Sequence, residues 1–214
     1  MRGMRARFVT HAIAALTLAT LLAGALPAAS EDSGSGPVYN VEIIVFRTTA
    51  AQGSAENWSE EASARSIAGD ESASGSLQVG RFVALLPASA YQLSELESRL
   101  RASGAYLPVA HAAWSQTASA WGTRAGFPLA RLGIEVPGLS GNVYLEHGQF
   151  LHLGLSLAWA MNDPPDGLGA AAGTAFALNE TRRVRFYERN YYDHPAFGVI
   201  ALVSPAQGPR APGR

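Results

Sequence analysis

The clearest strand pattern in the sequence is Phe150-Leu-His-Leu-Gly-Leu-Ser-Leu-Ala-Trp159. Leucine occupies every second position from 151 to 157, and the positions between hold His152, Gly154, Ser156 and Ala158. Because successive side chains of a β-strand point to opposite faces, this alternation predicts a half-buried strand. One of its faces is apolar, and the other carries small and polar groups.

The residues before this strand predict its hairpin partner. A three-residue turn at 147–149 keeps leucine opposite leucine across the two strands, whereas a two-residue turn mixes the faces. Gly148 supplies the left-handed position that such a turn needs. With this register we expect Tyr144 and His152 to face each other on the side away from the core.

A second β-rich stretch is Tyr39-Asn-Val-Glu-Ile-Ile-Val-Phe-Arg47. Apolar residues at 41, 43 and 45 fall on one face, and apolar residues at 44 and 46 fall on the other. Burial on both faces is typical of a strand in the middle of a sheet. We therefore expect 39–47 to be a central strand.

The remaining elements indicate the fold class. We expect one helix at about 89–103, where Leu93, Leu96 and Leu100 recur at helical spacing, with Ser89 as its N-cap and Gly104 as its stop. Further strands are expected at 81–86, 106–116, 174–178, 182–192 and 197–203. Seven or eight strands and one helix predict an α+β fold with a largely antiparallel sheet. Trp114, Trp121, Trp159 and Phe127 are interpreted as core residues, and a ligand-binding platform is the alternative for aromatic residues of this kind.

We expect a single domain at 39–204, interrupted by a loop at 162–173 and by a long insertion. Residues 48–80 are rich in alanine, serine, glycine and acids, and Trp58 is their one large aromatic residue. Such a stretch buries too little surface to offset its ordering entropy, so it predicts a mobile insertion. A flexible leader at 31–38 and a disordered tail at 205–214 flank the domain.

The first thirty residues predict a secretory signal peptide. Three arginines precede an apolar run at 12–26, and small residues at 28–30 offer a cleavage site. The run is shorter than the roughly 20 residues that a membrane-spanning helix needs. We expect a periplasmic protein with no membrane span after cleavage, and an uncleaved anchor is the alternative.

Composition narrows the function classes. The chain has 214 residues and a formal net charge of −1, and all 16 of its cationic residues are arginine. Without the signal peptide, 13 arginines face 17 acids, which argues against nucleic acid as a partner. Cysteine is absent, which excludes disulfides, zinc fingers, thiol catalysis and a lipid-modified cysteine.

The densest polar cluster lies at 182–195. If 182–192 is one strand, a single face carries Arg183, Arg185, Tyr187, Arg189 and Tyr191. Guanidinium groups bind carboxylates and phenol rings stack on sugars, so this face could hold a wall peptide. The alternative is a solvated strand face whose arginines deter edge pairing.

The inventory of catalytic residues is small. Asp193-His194-Pro195 is interpreted as a turn, although an aspartate beside a histidine could also orient the ring. The other histidines after the signal peptide are His111, His147 and His152, and no pair has helical spacing or forms a known metal motif. The chain also lacks a nucleophile elbow and a phosphate-binding glycine loop. We expect no enzymatic activity, no cofactor and no metal.

Four segments, in order along the chain, resemble a known family. They are 39–47 with the following Trp58, 107–116 with His111 and Trp114, 150–153 with His152, and 182–199 with Asp193-His194-Pro195. Together they resemble the CsiV family of periplasmic peptidoglycan-binding proteins. The chain departs from the family pattern at Gln149, where arginine is expected, and at Asn190, where histidine is expected.

The resemblance implies an exported, non-catalytic protein that binds peptidoglycan and supports cell shape. It also implies a link to penicillin-binding peptidoglycan synthases or their lipoprotein activator. We therefore take the five residues of the Arg/Tyr face, with His152 and Tyr144, as candidate peptidoglycan-binding residues. His111, Trp114 and Asp193-His194-Pro195 are expected to be structural.

Two other functions stay open from sequence. The first is a protein-interaction adaptor, in which the 48–80 insertion becomes ordered on a partner. The second is a metal-assisted wall hydrolase that uses His152, His194 and nearby acids.

Overall fold

The computed structural model describes residues 36–49 and 82–206. The expected signal peptide, Trp58, nearly all of the 48–80 insertion and most of the tail lie outside these residues. The strands are β1 (Val38–Thr48), β2 (Val83–Leu85), β3 (Tyr106–Thr117), β4 (Ser119–Ala120), β5 (Phe127–Pro128), β6 (Leu139–His147), β7 (Leu151–Met161), β8 (Thr174–Arg183), β9 (Arg189–Asp193) and β10 (Phe197–Pro205). The helical elements are the α-helix α1 (Ser94–Ser103) and two 3₁₀ turns, Ala88–Ala90 and Leu129–Leu132.

The strands form two sheets. The first has the order β2-β3-β1-β10-β9, and the second has the order β4-β6-β7-β8 with β5 beside β6. Of these pairs only β4 with β6 is parallel. The expected α+β class is confirmed, with mostly antiparallel pairing and, within residues 36–49 and 82–206, one α-helix, but the strands are divided between two sheets.

The two sheets pack face to face around one apolar core. β1 lies between β3 and β10, as expected for a central strand. Its Val41, Ile43 and Val45 point inward and meet the alternating leucines of β7. Trp114 and Trp159 are buried in the same core, in agreement with the sequence-based expectation.

The helix covers part of the outer face of the first sheet. Leu93, Leu96 and Leu100 pack there against Ile44 and Phe46 of β1. The apolar pattern of β1 on both faces therefore corresponds to two packing layers, the inner core and the helix.

The helix begins later than the sequence predicts. Ser94 is its first residue, Leu93 occupies the N-cap without a side-chain cap bond, and Ser89 lies in the preceding 3₁₀ turn. The Glu42 carboxylate on β1 instead accepts the N–H groups of Gln92 and Leu93, the two residues just before the helix. Gly104 ends the helix with a φ of 70°, as expected.

Residues 182–192 do not form the single strand that the alternation predicts. β8 ends at Arg183 in the second sheet, and β9 begins at Arg189 in the first sheet. The N–H of Val184 still bonds to β7, whereas the N–H of Tyr187 bonds to β10. Since the chain changes sheets here, no continuous strand face can hold all of the Arg/Tyr residues.

In the β6–β7 hairpin, the residues that face the core are the predicted ones, but the residues that pair across the two strands are not. Three residues, 148–150, connect the strands, and leucine stays opposite leucine, as in Leu145 with Leu153. Tyr144 lies opposite Gly154 rather than opposite His152, which pairs with Glu146. The observed register places the Tyr144 ring over a residue that has no side chain.

Candidate functional site

The outer face of the second sheet, turned away from the core, carries short polar side chains. Hydrogen bonds between strands hold them in place. The hydroxyls of Tyr144 and Thr181 are 2.6 Å apart, and the Ser156 hydroxyl donates to Asn179 Oδ1 at 2.7 Å. Because these groups satisfy one another, the face is rigid and polar rather than a loose solvated surface.

Gly154 provides the space that this face requires. A Cβ at this position would overlap the ring of Tyr144. We expect Gly154→Ala to lower the free energy of unfolding by about 2 kcal/mol through overpacking. Urea denaturation would measure the loss. Gly36→Ala, which meets nothing within 4 Å, is the matched control, and a loss of similar size in both variants would contradict the argument.

Four side chains at one end of this face form a continuous row, which we call the platform: Trp121, Phe150, His152 and Arg183. The rings of Trp121 and His152 have centroids 4.0 Å apart. Arg183 lies opposite His152 on the neighbouring strand, and its Cζ is 3.4 Å from the centre of the Phe150 ring. The platform therefore combines aromatic surface with one fixed positive charge.

A short loop, residues 121–126, places Trp121 on the sheet. The N–H of Trp121 bonds to the carbonyl of His147 at 3.2 Å, and the N–H of Arg124 donates to the buried Glu146 carboxylate. Arg124 has a φ of 47°, a left-handed conformation that this contact helps to hold. The loop thus fixes the indole ring against His152 although 55% of Trp121 remains exposed.

The structure divides the candidate peptidoglycan-binding residues between the two sheets. Tyr144, His152 and Arg183 share the outer face of the second sheet. Arg185 is exposed in the turn after β8, whereas Arg189 and Tyr191 belong to β9 in the first sheet. Tyr187 also lies with the first sheet, so these four do not meet the other three.

Two platform residues escaped the sequence-based prediction. Trp121 was expected in the core, but it is exposed, and Phe150 was placed only as the start of a strand. Trp121 does lie in a stretch of small and polar residues, Ser119-Ala-Trp-Gly-Thr123, with no apolar period around it. That lack of periodicity is a signal for exposure that the sequence does contain.

His111 and Glu42 form a buried polar cluster with Glu97 beneath α1. His111 Nε2 is 2.7 Å from Glu42 Oε1, and its Nδ1 is 2.8 Å from Glu97 Oε2. Both ring nitrogens therefore face carboxylate acceptors, which suits the protonated ring. The cluster joins β1, β3 and α1.

These contacts shift two pKa values in opposite directions. Burial alone lowers the pKa of His111, but the bonds and charges of Glu42 and Glu97 outweigh it, and the pKa is raised overall. Burial alone raises the pKa of Glu97, but His111 and Arg101 outweigh it, and the pKa is lowered. The charged forms of both groups are therefore stabilised in the folded protein.

Asp193-His194-Pro195 forms a tight turn between β9 and β10. His194 and Phe197 exchange backbone hydrogen bonds, and His194 Nδ1 accepts the N–H of Ala196 at 3.1 Å. The ring is buried beside Phe176 and Phe197, and burial lowers the pKa of His194 to about 4. The His194 ring therefore faces the interior of the protein rather than the solvent.

The histidines named for a metal-assisted hydrolase do not face one another. His152 lies on the outer face of the second sheet, whereas His194 packs against Phe176 on its inner face. Within residues 36–49 and 82–206, no group of three or more His, Asp or Glu side chains is placed to hold a metal ion.

Comparison with protein-family models decides the family. A model described as "Peptidoglycan-binding protein, CsiV" matches residues 13–206, which is most of the chain. The chain belongs to the CsiV family of peptidoglycan-binding proteins. No curated protein and no solved structure matches this CsiV-family chain.

The CsiV description concerns a polymer that lies outside the cytoplasm, in agreement with an extracytoplasmic protein. In the described part of the chain, no helix is long and apolar enough to cross a membrane. The platform of this CsiV-family protein lies within the matched region, as do His111, Trp114 and the 193–195 turn.

Proposed function

We propose that this protein is a non-catalytic periplasmic factor that binds peptidoglycan through the platform. The observation that carries the proposal is the row of Trp121, His152, Arg183 and Phe150 on a rigid polar face. Peptidoglycan combines sugar rings with stem peptides that bear carboxylates. An aromatic surface beside a guanidinium matches the apolar and anionic groups of those stem peptides.

Arg183 is suited to the stem-peptide carboxylates. Its guanidinium packs on Phe150, and in the described part of the chain it has no acidic partner. A guanidinium held against a ring loses little further freedom on binding, so its fork can take a carboxylate in two parallel bonds. Trp121 offers an exposed ring face next to it, on which the apolar part of a stem peptide can pack.

Peptidoglycan binding would serve wall synthesis and cell shape. The family resemblance supports a connection with penicillin-binding peptidoglycan synthases or with their lipoprotein activator, and we propose these as partners. In this role the protein holds the polymer without cleaving it, so incubation with purified sacculi should leave the muropeptide profile unchanged on chromatography. New muropeptides would contradict the non-catalytic proposal.

Binding to purified sacculi tests the platform. We expect the mature protein to sediment with sacculi, and we expect Trp121→Ala with Arg183→Ala to weaken binding about tenfold, since central aromatic and arginine residues carry most of an interface's energy. Pelleting at a series of sacculus concentrations gives the apparent Kd of each variant.

The matched control is Arg99→Ala, which removes one exposed arginine on α1, far from the second sheet. It should bind like the wild type. Equal weakening by the control would mean that general charge drives sedimentation. Unchanged binding of the platform variant would remove the platform from the site.

A further inference from the structure

A second polar site lies on the opposite side of the sandwich from the platform. On the outer face of the first sheet, Asn40 of β1 sits directly between Ser115 of β3 and Ser204 of β10. The helix covers the outer face around Ile44 and Phe46. It leaves Asn40, Ser115 and Ser204 uncovered. The result is a cleft of about 400 Å³, which Gln92 and Tyr187 also line.

The cleft presents hydrogen-bonding groups without a charge. Its lining contains amides, hydroxyls, one phenol and apolar groups, and no ionisable acid, arginine or histidine. Ser115 donates to Asn40 Oδ1 at 2.6 Å, which fixes the carboxamide and turns its nitrogen away from the serine. Within the described residues that nitrogen has no acceptor, so it can donate to a ligand.

Tyr187 supplies an aromatic wall at the mouth of the cleft. It has a φ of 63° and is 62% exposed, an unusual combination for a tyrosine. Its N–H bonds to the carbonyl of Val203 at 2.9 Å, one residue from Ser204. A bulky residue in a left-handed conformation stores backbone strain of the kind found at turns and at binding sites, and here the turn places that residue beside a cleft.

We propose that this cleft binds an uncharged N-acetylated amino sugar, the repeating unit of a glycan strand. The acetamido group requires a donor and an acceptor, which the Asn40 and Gln92 carboxamides provide, and the hydroxyls of Ser115 and Ser204 suit sugar hydroxyls. The sugar ring packs on Tyr187. The inference deepens the proposed function, because it assigns the glycan to the first sheet and leaves the stem peptide to the platform.

Titration with chitotetraose, a soluble tetramer of N-acetylglucosamine, tests the assignment. We expect NMR shift changes at the Asn40 side-chain amide and at the amides of Ser115, Tyr187 and Ser204. Tyr187→Gly should weaken binding about tenfold while it relieves the left-handed strain, so a loss of binding cannot be attributed to misfolding. Cellotetraose, which lacks the acetamido groups, should bind at least about tenfold more weakly.

Several outcomes would overturn the inference. They are the absence of shift changes at millimolar chitotetraose, shift changes confined to the platform, equal affinity for cellotetraose, and unchanged affinity of Tyr187→Gly.

The outcome for the platform is separate, because Trp121→Ala with Arg183→Ala should leave chitotetraose binding intact. If the platform variant no longer binds sacculi but chitotetraose causes no shift changes at the cleft, the cleft assignment is wrong and the platform proposal is supported. If chitotetraose binds in the cleft but the platform variant still binds sacculi, the platform proposal is wrong and the cleft assignment is supported.

Discussion

Glu42→Ala is expected to lower the free energy of unfolding by about 4 kcal/mol, the largest loss that we predict for one substitution. Glu42 is 3% exposed, and its carboxylate accepts the N–H groups of Gln92 and Leu93 at 2.8 Å each. It also faces His111 Nε2 at 2.7 Å. Alanine would leave two backbone donors without an acceptor and a buried imidazolium with one fewer partner. Urea denaturation followed by circular dichroism measures the change.

Glu97→Ala is the matched control for this prediction. Its carboxylate faces the other nitrogen of the same ring but is 27% exposed, so water can replace much of the lost contact. We expect a loss of about 1 kcal/mol. A loss as small as this for Glu42→Ala would mean that the Glu42 contacts do not anchor the helix.

The pH dependence of the Glu42 effect follows from the raised pKa of His111. A raised pKa in the folded state gives stability that is fully present below the unfolded value of about 6.5. That stability is lost as the pH rises through the folded value. The difference between wild type and Glu42→Ala should therefore be largest at acidic pH and should shrink in alkaline solution.

His194 is expected to act in the opposite direction and to destabilise the protein in acid. Its pKa falls to about 4 on burial, so the unfolded chain binds the proton more tightly. Its contribution to stability is present above pH 6.5 and is lost as the pH falls towards 4. Across that window the free energy of unfolding should drop by about 3 kcal/mol, since each pKa unit corresponds to about 1.4 kcal/mol.

His194→Asn tests this contribution, because its Oδ1 can take the Ala196 N–H that the ring nitrogen accepts. The variant should lose the drop between pH 6.5 and 4 in denaturation curves recorded at several pH values. His147→Asn, at the exposed end of β6, should keep the drop. A wild-type stability that is flat across this window would contradict the argument.

Local periodicity predicted the parts of the fold that depend on which face a residue occupies. The alternating leucines of β7 and the two apolar faces of β1 point where the sequence indicated. For the same reason, leucine lies opposite leucine in the hairpin before β7, as predicted. The register differs from the predicted one because moving the turn by one position leaves the same residues facing the core. The packing of Tyr144 on Gly154 is one contact that distinguishes the two arrangements.

Local periodicity could not predict contacts between segments that are distant in the sequence. The alternation of Arg and Tyr at 182–192 is compatible with one strand and with two strands joined by a turn. The change of sheets depends on the backbone carbonyls of β7 and β10 that these residues reach. The start of α1 depends on Glu42, about fifty residues earlier in the chain. Trp121 is exposed because its loop is held to the outer face of the second sheet. Of the binding residues that the sequence nominated, Tyr144, His152 and Arg183 share the face on which the candidate site lies.

The Glu42 contact also bears on the order in which the chain folds. A helix of ten residues is marginal alone, and here the acceptor for the N–H groups of the two residues before it comes from another segment. That segment pairs in turn with β10, at the far end of the domain. The early folding nucleus should therefore be nonlocal, built from β1 with its neighbours, and helix formation should follow strand pairing.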